Sequence, residues 1–182
     1  MYKYNLITMK RTDFYFCLIV VALFAPFVLS PNLYAGYQSF NAEHGMVMSF
    51  LKFAVLSTLG ELLGLRISTG QYLRKGFGVL PRAVVWGVLG MGINLAFIVF
   101  STGVPAAAGY LRVDAPAAIM AGPVTPSKVL LAFAISVSLN SIFAPVFMTF
   151  HKLTDTHILA TGGTLRGLFT PIPMGDIMQN LN

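Results

Sequence analysis

An all-α, polytopic membrane bundle with four spanning helices is the fold this sequence predicts, and three observations predict it. Of 182 residues, 56% are hydrophobic and only 10% are charged, against about 25% charged in an ordinary soluble domain. The apolar residues gather into four runs close to the ~20 residues that a spanning helix needs. The cations, Lys52 excepted, lie at or beyond the ends of those runs. A mean hydropathy of +0.75 leaves more apolar surface than a soluble globule of this size buries, so lipid is part of the solvent.

The first run, 14–30 (FYFCLIVVALFAPFVLS), follows Lys3, Lys10 and Arg11. A basic flank before an apolar core also describes a secretory signal peptide. A retained helix is favoured, because signal cores usually run only ~7–15 residues and Leu33-Tyr34-Ala35 is a poor cleavage site. The second run is 45–65 (GMVMSFLKFAVLSTLGELLGL). The third, 82–101 (RAVVWGVLGMGINLAFIVFS), is opened by Pro81. The fourth, 127–150 (SKVLLAFAISVSLNSIFAPVFMTF), has Thr125 as N-cap and Pro126 in its first turn. Residues 66–80 read as a basic loop, 102–126 as a loop with one short helical turn, and 151–182 as a polar tail that is irregular after 160. The chain 1–182 thus reads as a single membrane domain.

Basic residues set the orientation. Lys3, Lys10, Arg11, Arg66, Arg74, Lys75, Arg82, Lys152 and Arg166 fall on one side of a four-span topology, against Arg112 and Lys128 on the other. Nine against two places both termini in the cytoplasm by the positive-inside rule. The membrane is a bacterial inner membrane, or an organelle membrane in a eukaryote. The net charge of +6 forms no patch with interleaved aromatics, so no nucleic-acid partner is expected. Cys17 is the single cysteine and excludes an intramolecular disulfide.

Lipid gives helices no hydrophobic reason to associate, so small and polar residues must hold the bundle. Ala83, Gly87, Gly90 and Asn94 recur at i, i+4, i+7 and i+11 on the third helix and share one narrow face. Ser57, Glu61 and Gly64 make a similar stripe on the second. Asn94 and Asn140 lie ~18 Å and ~15 Å from the cytoplasmic ends of their helices, and Lys52 reaches about the same depth. Two readings stand for this layer: a polar path through the membrane, or interhelical hydrogen bonds with Lys52 snorkelling outward. Glu61, ~6 Å from the cytoplasmic end, is level with Arg82, and an ion pair between them is expected.

HKLTDTH, 151–157, holds the candidate metal ligands His151, Asp155 and His157. His151 and Asp155 share a helix face at i, i+4, but His157 joins them only if the helix ends first. No fourth ligand stands nearby, and a polar helix end is the favoured reading. No cofactor is expected.

The stretch APVFMTFHKLTD, 144–155, resembles the Gly-Pro-x-x-His-x-Trp-Tyr-x-x-Leu-Asp segment of the Mpv17/PMP22 family of small integral membrane proteins. Pro145, Phe150 (for Trp), His151 (for Tyr) and Asp155 stand at matching spacings, while Ala144, Met148 and Thr154 depart from it. LSTLGELLG, 56–64, looks like the family's Gly-Asp-containing first-helix motif, with Glu61 for Asp. The family's Trp-rich closing signature is not found before Asn182, so the resemblance implies a relative truncated ahead of its last span. It also implies a multi-span protein of organelle or bacterial membranes with pore-like behaviour, and it points to no known catalytic residue. The expected role is therefore non-enzymatic, in a channel or transporter. Four helices leave little room for a pore, which then needs a homo-oligomer or a further span. The alternatives are a membrane-embedded enzyme using Glu61 or the His151, Asp155, His157 cluster, metal-dependent in the latter case, and an assembly partner without activity of its own.

Overall fold

The computed structural model describes residues 9–179, so Lys3 lies outside the described residues. Among the described residues the regular structure is entirely helical: α1 (Arg11–Leu29), α2 (Pro31–Glu43), α3 (Gly45–Thr69), α4 (Val79–Tyr110), α5 (Pro126–Ala160), α6 (Leu165–Leu168) and α7 (Met174–Gln179), with a 3-10 turn at Ala117–Ala121. Four of these, α1, α3, α4 and α5, are long and apolar enough to cross a membrane. The four-span membrane fold is therefore present.

The caps explain several boundaries. Ser30 accepts from the Leu33 N–H at 3.3 Å and Pro31 follows it, so a single residue separates α2 from α1. Thr125 caps α5 by accepting from Lys128 N at 3.2 Å, with Pro126 at the first position. α4 begins two residues before Pro81, which sits in the first turn, where a missing N–H leaves no helical bond unmade.

The helices exceed their apolar runs. Residues 31–43, between the first two apolar runs, form α2, and α4 continues through Pro105 to Tyr110. At 1.5 Å per residue α4 and α5 are ~48 Å and ~52 Å long, so their ends project beyond a ~30 Å hydrocarbon core. Apolarity marks the lipid-immersed part of a helix, while hydrogen bonding and caps decide where it ends. The tail also departs from the irregular reading. Gly162 and Gly163, both at φ near +70°, end α5, and the chain then folds back through α6 and α7 so that Ile177 is buried against α5.

α3 packs on α4 and α4 on α5, whereas α1 reaches the rest through α2 and through side chains at one end. The spans thus form an open row with α4 between α3 and α5. The α3–α4 seam is the tightest. A Cβ on Gly87 would fall 2.5 Å from the Phe50 ring, and one on Gly90 2.5 Å from Phe53 Cβ. The two glycines seat two phenylalanines, the close approach that lipid-immersed helices use in place of hydrophobic drive. Ala83 and Ser57 are half-buried nearby. Gly64 corrects the predicted stripe: it is exposed and nothing stands within 4 Å of its Cβ position. Glu61 is level with Arg82, three residues into α4, so Gly64 lies where α4 gives way to its preceding loop.

Candidate functional site

Three polar clusters join the helices. The first is at the end carrying most of the cations, where α3, α4 and α5 meet. Arg82, buried at 5% exposure, directs Nη1 at both Glu61 Oε2 and Asp155 Oδ1. Its Nε donates to the Phe77 carbonyl at 2.7 Å, and its guanidinium lies 4.2 Å from the Phe77 ring centroid. The other oxygen of Glu61 accepts from Trp86 Nε1 at 2.6 Å and from His151 Nε2 at 3.0 Å. The Trp86 and His151 rings are 4.5 Å apart. One carboxylate on α3 is thereby bound by two residues of α4 and one of α5.

Helical spacing explains the convergence. Arg82 and Trp86 are four apart, as are His151 and Asp155, so each pair projects from one face of its helix. The Glu61–Arg82 pair follows from the level of each residue in its own run. Asp155 and Trp86 are additions that level alone does not supply, although the i, i+4 spacing from Arg82 to Trp86 was a readable signal. Free space among these side chains is only about 10 Å³, near the minimum for one water. The cluster is filled by its own contacts.

The candidate metal ligands His151, Asp155 and His157 do not come together. α5 runs on to Ala160, so His157 stays helical and points away from His151 and Asp155. It is 2% exposed, and its Nε2 donates to the Gly167 carbonyl at 3.0 Å beside Thr170 Oγ1. Among the described residues no group of three His, Cys, Asp or Glu is arranged to hold a metal. Of the other family-like positions, Pro145 and Phe150 are exposed on α5.

The second site is the polar layer, and it forms only in part. Ser49, Lys52, Ser57 and Asn94 line a groove of about 310 Å³ between α3 and α4. Asn94 donates to Met46 Sδ at 3.2 Å, and Lys52 Nζ donates to Asn41 Oδ1 on α2 at 2.7 Å. Asn140 does not join them. It is exposed, and its amide bonds the Ser136 carbonyl of its own helix at 2.9 Å. α5 buries Leu131, Ile135 and Leu139, and Asn140 lies ~100° round the helix from Leu139. With α4 between them, α3 and α5 cannot share a layer at this depth.

A third cluster, missed in the sequence, ties α1 down. Arg66 Nε and Nη2 donate to the two Asp13 oxygens, each at 2.6 Å. Lys10 Nζ reaches the Gly70 carbonyl at 3.0 Å, and Tyr72 stacks on Phe16 at 4.6 Å. The signal was present: Asp13 immediately precedes the first apolar run and Arg66 immediately follows the second.

No protein-family model, curated protein or solved structure matches this chain.

Proposed function

We propose that the chain is a non-enzymatic multi-pass membrane protein with a channel- or transport-related role. One observation carries this reading: Lys52 and Asn94 line a groove inside two spanning helices. Ionisable groups are expensive there and mark solute paths by default. The helices form an open row, so the groove is walled on one side only, and a second copy of the chain is needed to enclose it. The uneven spread of cations supports cytoplasmic termini, and the 144–155 stretch supports kinship with Mpv17/PMP22-like proteins. The cluster around Glu61 offers no room for a substrate, which favours this reading over an enzyme.

Solute flux into liposomes carrying the purified chain tests it. Wild type is expected to pass small solutes, and Lys52→Met and Asn94→Leu are expected to change the rate or the charge selectivity. Identical flux in all three, or none above empty liposomes, would sink the reading and leave the assembly-partner alternative.

A further inference from the structure

We propose that the cleft between α1, α2 and α3 holds one acyl chain of an anionic phospholipid, with the lipid phosphate on Lys52. The cleft measures about 480 Å³ and is walled by Leu23, Phe24, Phe27, Tyr37, Leu51 and Val55, with Lys52 the one charged residue of its lining. That volume is within the ~300–1,000 Å³ of small-molecule sites. It exists because α1 stands off from α3: Asp13–Arg66 pins one end, α2 joins the other, and α1 has no buried residue between.

The charge defines the occupant. Lys52 is seven residues into α3, so its backbone is ~10 Å below the helix start. Its amine nevertheless reaches Asn41 on the preceding helix, the posture of a lysine snorkelling toward headgroup level. That partner is neutral, and among the described residues no carboxylate pairs with Lys52. Of the two acids nearest in sequence, Glu43 accepts instead from Ser39 Oγ at 3.1 Å and Glu61 pairs with Arg82. The α3 wall of the cleft runs from Met48 to Leu56, ~12 Å along the helix and most of one leaflet of a ~30 Å hydrocarbon core. A cation at headgroup level above an apolar slot most of a leaflet deep matches a single anionic lipid. Lys52 borders both this cleft and the α3–α4 groove, but lipid retention is read without solute flux and Leu23 lines this cleft alone, so either reading can fail without the other.

Native mass spectrometry of the full chain in detergent tests the proposal, using phosphatidylglycerol and phosphatidylcholine with identical acyl chains. Wild type is expected to retain phosphatidylglycerol several-fold better. Asn41→Asp, which sets a carboxylate against the amine, and Lys52→Met are each expected to bring the two lipids to parity. Leu23→Trp fills the slot and is expected to lower retention of both lipids, with helicity by circular dichroism unchanged. Equal retention by wild type, a preference surviving Asn41→Asp, or unaltered retention in Leu23→Trp overturns it.

Discussion

Arg66 grips Asp13 with two parallel hydrogen bonds across 53 residues of chain. Paired donors on paired acceptors give this contact direction as well as charge, and it fixes the end of α1 that helix packing leaves loose. Asp13→Asn is expected to lower the melting temperature in detergent and to speed proteolysis ahead of α1. The exchange Asp13→Arg with Arg66→Asp should recover part of the loss. A double variant no better than the sum of its single changes would remove the pairing as the tether.

Tyr72, in the loop after α3, extends the same contact into a pH dependence. Burial disfavours its phenolate, and the Asp13 carboxylate hydrogen-bonds the neutral phenol, so its pKa lies above the ordinary 10.0. A group raised in the folded state contributes stability below its ordinary value and loses it as pH climbs through the folded one. Thermal stability is thus expected to fall above pH ~10, and Tyr72→Phe should shrink that fall. An alkaline profile identical in the variant would rule the residue out.

Arg82 is the hub of the α3–α4–α5 junction. Arg82→Met leaves Glu61 and Asp155 facing each other without a cation, and removing one partner of a buried pair costs about 3–5 kcal/mol. Glu61→Gln keeps the acceptor for Trp86 and His151 and should cost less. In a double-mutant cycle the two changes should be non-additive, and simple additivity would contradict the geometry.

Two glycine substitutions in the helices should part company. Gly87→Ala forces its methyl into the Phe50 ring, and overpacking of this kind costs about 1–3 kcal/mol. Gly64→Ala meets open space and should stabilise α3 by about 0.5–1 kcal/mol through its helix propensity. Equal effects, measured by thermal denaturation in detergent, would mean that the seam does not need its glycines.

The membrane class, the four apolar spans, the glycine face of α4 and the level shared by Glu61 and Arg82 were all determined by the sequence itself. Each depends on hydrophobicity, or on a 3.6-residue period, acting within one continuous segment. The order of the helices in the row is not local in this way. It decided that Asn140 faces outward while Asn94 turns to α3, that Gly64 is exposed while Gly87 and Gly90 are not, and that Asp155 joins Glu61 through Arg82. The continuation of α5 past His157, which separates the two histidines, likewise awaited the two-glycine turn against residues 76–78, where a Cβ on Gly163 would strike the Gly76 carbonyl. Local periodicity states which residues share a face. Only packing between helices states what that face meets.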